Sequence, residues 1–144
     1  MMKRLKNQRG AALLETAITI PIVLLITVGV FEFGRAYQTW QVLTNAAREG
    51  ARVSVLAEST DAQVTAAVKS YMQSGKLPGA TSAVVTVERV VPFNGGTSTA
   101  SRITVAYPFN FTVLNPVMRL VSKGSNVGKG ITTMSSSALM RNES

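Results

Sequence analysis

A glutamate stands alone inside an apolar run. Glu15 lies five residues after Gly10, and the stretch from Ala11 to Phe31 holds no other charge. Near the centre of a membrane helix an Asp, Lys or Arg costs roughly 2.5–3.5 kcal/mol on insertion scales. A chain that keeps an acid just past a small-residue junction is therefore using it. Other candidates for chemistry are few. The sequence has neither Cys nor His, so thiol nucleophiles, His-based triads, Cys/His zinc sites and disulfides are excluded. Glu58 and Asp61 flank a helix start, where acids are common because they complement the helix dipole. Lys69 and Ser70 are adjacent and project differently from a helix, which argues against a Ser-Lys dyad. No Gly-rich phosphate loop or metal-ligand cluster is present. The expectation is a chain with no catalytic, cofactor-binding or metal-binding residues.

The elements that must position Glu15 begin with a basic leader. Lys3, Arg4, Lys6 and Arg9 supply four of the fifteen positive charges and all precede the apolar run. Beyond Gly10, eleven basic residues face seven acids, so the overall +8 falls to +4. Much of the remainder sits beside acids, as in Arg48-Glu49 and Glu88-Arg89. This distribution argues against a nucleic-acid partner despite the net charge.

From Ala11 to Phe31 the chain would span about 31 Å as a helix, enough to cross a hydrocarbon core. The basic leader favours a cytoplasmic N-terminus, and Glu32 and Arg35 open the far side with little net charge. A secretory signal would have an apolar stretch of only about 7–15 residues followed by a small-residue cleavage site. Here the run is longer and the small-residue junction precedes it, so the segment stays in the membrane. Pro21 inside it removes an amide and leaves the Ala17 carbonyl without its helical donor, which membrane helices tolerate.

Gly10-Ala11-Ala12-Leu13-Leu14-Glu15 resembles the processing site of type IV pilin-like proteins. Taken with Pro21, Gly29-Val30-Phe31-Glu32-Phe33-Gly34-Arg35 and Thr44-Asn45-Ala46-Ala47-Arg48-Glu49-Gly50-Ala51-Arg52, it resembles the TadE-like family over about residues 8–53. Those proteins are pseudopilins of the tight-adherence (Flp-type) pilus machinery. Two positions depart from pattern: Thr16 stands where the family usually has Phe, and Ala11 replaces the bulky first residue of standard type IV pilins. The resemblance implies cleavage by a prepilin peptidase between Gly10 and Ala11. It also implies an assembly role for Glu15, by pairing with the new amine or with a neighbouring subunit. The implied partners are that peptidase, other pilin-like subunits and tight-adherence assembly proteins, and membrane lipid. The implied location is the bacterial inner membrane, single-pass, with the N-terminus cytoplasmic and the C-terminal module periplasmic or extracytoplasmic. Two rivals are an uncleaved single-pass scaffold of the envelope machinery and a membrane-tethered hydrolase, which would need a pocket around Ser or Asp groups.

Past the membrane the helical pattern continues. Ala36, Trp40, Leu43, Ala47 and Ala51 recur at steps of three or four, one face of a stem running to about Ala57. Tyr37 and Trp40 are placed to settle near headgroups. Gly50, unfavourable in a helix interior by about 1 kcal/mol relative to Ala, points to close packing. Arg48, Glu49 and Arg52 read as a solvated face. Thr60 with Gln63 fits a capping box, Val64, Ala67, Val68, Tyr71 and Met72 form an apolar stripe, and Gly75 and Pro78-Gly79 end the helix.

Ala83–Val91 and Ser101–Tyr107 read as strands of an antiparallel hairpin joined by a polar loop at Asn94-Gly95-Gly96. Tyr107, Phe109 and Phe111 are assigned to the core in preference to an exposed patch. Leu114 to Val121 suggests one or two helical turns started by Asn115-Pro116, Lys123–Gly130 a mobile loop, and Ile131–Met140 a third strand. The expected fold is α+β: a long N-terminal transmembrane helix extended into the periplasm, a second amphipathic helix, and a small antiparallel sheet of about three strands with one helix against it. The expected segments are a leader at 1–10, a transmembrane helix at 11–33, a helical stem at 34–58 and an exported module at 59–144.

Overall fold

The apolar run and the stem form one helix, α1 (Lys3–Ser54), with Pro21 inside it. The computed structural model describes residues 3–56, 58–92, 99–116 and 132–142, with side chains from residue 10 onward. A second helix, α2 (Asp61–Ser74), follows, then a three-residue 3-10 turn at Ala80–Ser82. Strands β1 (Val84–Pro92), β2 (Thr99–Phe109) and β3 (Thr132–Arg141) form one antiparallel sheet in the order β1-β2-β3. The fold is α+β, as expected. The chain divides into two compact units, Met1–Gly34 with Phe111–Gly128 and Arg35–Asn110 with Lys129–Ser144.

In the first unit every residue from Gly10 to Thr27 is exposed. This is one helix long and apolar enough to cross a membrane, and its most apolar stretch is unburied within the chain. Its hydroxyls are internally satisfied: Thr16, Thr19 and Thr27 donate to the carbonyls of Ala12, Glu15 and Val23 at 2.7–2.8 Å. Back-bonding of this kind hides a hydroxyl that an apolar surrounding would otherwise leave unpaired. The unit also contains helical backbone at 114–116. The helical reading at 117–121 and the loop at 123–130 lie outside the described residues, as does the loop at 94–96.

The second unit packs a small-residue face of α1 against α2 and the sheet. Leu43, Ala46, Ala47 and Ala51 are fully or almost fully buried, with Val64, Val68 and Met72 of α2 and Ile103 and Val105 of β2. Gly50 sits where the three elements meet: a Cβ there would stand 2.5 Å from Val68 Cγ2 and 3.2 Å from Ile103 Cγ2. The close packing read from that glycine is present. Three expectations need correction. Trp40 is not on the buried face; the true stripe runs through Thr39, Leu43, Ala46, Ala47, Gly50, Ala51 and Ser54, about a third of a turn away. Tyr71 leaves the α2 stripe and is 39% exposed. Two helical segments, not one, cover the sheet, since Thr44 of α1 hydrogen-bonds Ser136 of β3.

Boundaries also moved. α1 closes at Ser54, short of the expected 57–58, and Glu58 adopts a left-handed φ of 67°. At the other end it already includes residues of the leader, from Lys3. α2 starts as expected, with Thr60 Oγ1 accepting from the Gln63 amide and Gln63 Oε1 accepting from the Thr60 amide. Its end is a Schellman arrangement: Leu77 N–H donates to Met72 O and Lys76 N–H to Gln73 O. The left-handed residue of that motif is Lys76 (φ 56°), while Gly75 has an ordinary φ of −75°. Gly75 answers to space instead, because a Cβ there would lie 2.6 Å from Val42 Cγ1.

The hairpin pairs Val84–Glu88 with Ala106–Arg102, then slips. Between Glu88↔Arg102 and Val91↔Ala100, two residues of β1 oppose one of β2, a bulge at Arg89-Val90. Along β2, Ile103, Val105, Tyr107 and Phe109 point inward. Tyr107 and Phe109 are thus core, and Phe111 is half-buried.

Candidate functional site

Gly10, Ala11 and Glu15 lie on one uninterrupted stretch of α1, all exposed. Glu15 is four residues, about 6 Å of helix rise, beyond Ala11 and therefore on the same face. An amine created at Ala11 would meet the carboxylate across one turn. Among the described residues nothing beyond the helix's own turn comes within 4 Å of a Cβ added at Gly10, so on that side the junction is open to another molecule. It is also helical, and a protease that reads extended backbone would have to unwind it.

Farther along α1, Glu32 ends the apolar run in a way the sequence reading missed. It is only 1% exposed. Its carboxylate accepts from the Thr112 amide at 3.0 and 3.1 Å and from the Val113 amide at 3.2 Å. Backbone donors to an ionised acceptor make strong, charge-assisted hydrogen bonds. The contact joins residues eighty positions apart. The only sequence signal was an acid directly after 21 residues of apolar span; main-chain amides as partners leave no trace in residue types.

Arg35 donates to the Asn110 carbonyl and lies 4.7 Å from the centre of the Phe109 ring, a cation–π contact with the last residue of β2. One turn on, Tyr37 and Trp40 form a tilted, exposed pair 6.2 Å apart. Near the end of the helix Arg52 donates two hydrogen bonds to Glu49, at 3.0 and 2.6 Å. Those bonds hold the Glu49 carboxyl below its usual value and raise that of Arg52. The pair is solvated, so its stabilising effect is small, and the reading of a solvated face stands.

Residues 10–52 match the model of a family described as TadE-like protein. Over that stretch the chain resembles the TadE-like family. The match suggests a membrane protein associated with the tight-adherence (Tad) pilus. No curated protein and no solved structure matches the chain. The TadE-like segment begins at the residue before Ala11 and ends two residues before α1 does. It therefore contains the open junction, Glu15, Glu32 and all but the last residue of the buried small-residue face.

Beyond the TadE-like segment the polar groups of the second unit tie elements together. Arg89, aimed toward the helices beside its bulge, donates to Asp61 Oδ1 at 2.6 Å, to the Ser54 carbonyl at 3.2 Å and to Ser59 Oγ at 3.3 Å. Its own carbonyl accepts from Asn142, whose side-chain oxygen takes the Ser101 hydroxyl. The end of α1, the start of α2 and both hairpin strands meet at this arginine. Glu88 pairs across the sheet with Arg102 at 3.3 Å. Lys69 donates to the Thr81 carbonyl at 3.0 Å and Ser74 to that of Ser70.

Proposed function

We propose that this protein is a non-enzymatic, membrane-anchored pseudopilin that takes part in assembly of a tight-adherence pilus. The observation that carries the reading is the coincidence of three things on one exposed apolar helix: a family match beginning at residue 10, an open Gly10-Ala11 junction, and a lone acid one turn past it. In this reading residues 1–10 are a leader removed by prepilin peptidase, 11–33 cross the bacterial inner membrane, 34–58 form a stem whose helix closes at Ser54, and 59–144 are the exported module. The N-terminus starts in the cytoplasm and the module lies in the periplasm. Glu15 offsets the burial of the Ala11 ammonium, its own or that of a neighbouring subunit, and so favours lateral packing of helices with other pilin-like subunits.

A second reading is an uncleaved single-pass scaffold of the same machinery. What favours it is that α1 runs unbroken through the junction from Lys3. Intact mass of the chain extracted from membranes separates the two. A chain starting at Ala11 supports the pseudopilin; one retaining Met1 or Met2 supports the scaffold. Glu15→Ala tests the assembly role, with loss of surface pili expected and undiminished piliation counting against it.

A further inference from the structure

A groove of about 330 Å³ lies between α1 and α2. Its floor is the close approach of Val42 to Gly75, where no side chain larger than hydrogen fits on the α2 side. Gln38, Gln41 and Asn45 line the α1 wall, and Tyr71 with Ser74 the α2 wall. No lining residue carries a charge, although the chain as a whole is at +8.

We propose that this groove binds a neutral glycan. Each side-chain amide offers a donor and an acceptor in one plane, which matches the paired hydroxyls, donor and acceptor alike, of a pyranose. Among the described residues none hydrogen-bonds the side chains of Gln38 or Asn45, so both amides are open to a ligand. Gln41 is half-committed: its Nε2 donates to the Tyr37 hydroxyl at 2.8 Å, which leaves its oxygen open. Tyr71, displaced from the core stripe and 39% exposed, presents a ring against which the C–H face of a sugar can lie. Such a ring supplies apolar contact area with a polar tip. The absence of charge disfavours phosphate, carboxylate and ammonium ligands, which require desolvation against a counter-charge. The volume is at the low end for small-molecule sites, which run from about 300 to 1,000 Å³, and so suits one or two sugar rings of a longer chain. Tyr37 and Trp40 continue an exposed aromatic surface beside the Gln41 rim. This reading is independent of pilus assembly and of cleavage after Gly10.

The test uses the full chain in a phosphocholine detergent, since glycoside detergents would compete. Chitotriose and maltotriose are titrated while the side-chain amides of Gln38 and Asn45 are followed by NMR. Fluorescence of Trp40, the sole tryptophan, gives a second readout. Saturable shifts at both amides are expected with at least one of the two sugars. Gln38→Ala and Tyr71→Ala should each weaken binding about tenfold, equivalent to about 1.4 kcal/mol, with unchanged backbone dispersion. No saturable shift with either sugar at its solubility limit overturns the proposal. So does an affinity unchanged from the parent chain in both variants.

Discussion

Gly50 of α1 lies so close to Val68 of α2 that a methyl group on the glycine would stand 2.5 Å from Val68 Cγ2. That distance is below any real contact between carbon atoms, so the helices are held by the absence of a side chain. Gly50→Ala therefore sets two effects against each other. Alanine improves helix propensity by about 1 kcal/mol, while overpacking costs about 1–3 kcal/mol. We expect the steric effect to win because Val64 and Ile103 close the other sides. Denaturant unfolding in micelles should show net destabilisation, and Val68→Ala on the same background should recover part of it.

The end of α2 offers an experiment of opposite sign. Lys76 holds the left-handed position of the Schellman turn, a conformation that costs a side-chain-bearing residue roughly 1–2 kcal/mol. Lys76→Gly should raise stability by about 1 kcal/mol, less the entropy glycine adds to the unfolded chain. Gly75→Ala, one residue earlier, should lower it because of Val42. A thermal melt of each variant checks both signs.

Glu32→Ala would leave the Thr112 and Val113 amides without their acceptor. Both residues are exposed, so water can replace part of what is lost, and a hydrogen bond contributes about 0.5–1.5 kcal/mol net. Amide hydrogen exchange at those two residues should accelerate by up to about tenfold, while exchange at Val64 and Val68 stays unchanged. Equal rates at 112–113 in variant and parent would remove Glu32 from its anchoring role.

Arg89 and Asp61 form a short ion pair, yet both side chains keep substantial exposure, 34% and 64%. Solvent screening limits such a pair to about 1 kcal/mol or less. The remaining bonds of Arg89, to Ser54 and Ser59, connect otherwise separate elements. Arg89→Leu should thus destabilise by about 1–3 kcal/mol and Asp61→Asn by clearly less. The ordering of the two midpoints is the readout.

Tyr107 donates its hydroxyl to the Pro78 carbonyl. Burial raises its pKa above the usual value, partly countered by the charge of Arg35. A group whose folded-state pKa is raised contributes stability that is complete below its unfolded value, about 10 for tyrosine, and is lost as pH rises through the folded value. Stability should accordingly fall on the alkaline side above about pH 10. Tyr107→Phe should be less stable at neutral pH but show a flatter alkaline limb in pH-dependent unfolding.

Local signals were legible where physics is local. The capping box at Thr60-Gln63, the apolar span, and the alternation from Ile103 to Tyr107 each depend on neighbours a few residues away, and each is found. Gly50 was readable because a glycine inside a helix is unfavourable unless something needs the space. Tyr71 was misplaced for a complementary reason: a large apolar side chain was assigned inward. On α1 the contact face is built mostly from alanine, glycine, threonine and serine around Leu43, and Trp40 lies off it. A face of small residues gives a weak hydrophobic pattern and a close approach.

By itself the sequence determined the membrane-length helix with its lone acid, the α+β class, and the order of elements, since these follow from periodicity, capping and the cost of charge in an apolar run. Only the tertiary structure decided which acid is buried and which arginine joins the elements. Glu32 takes main-chain amides eighty residues away, and Arg89 is aimed by a bulge at carbonyls and hydroxyls. Main-chain partners are the same at every position of a chain, so no residue type announces them.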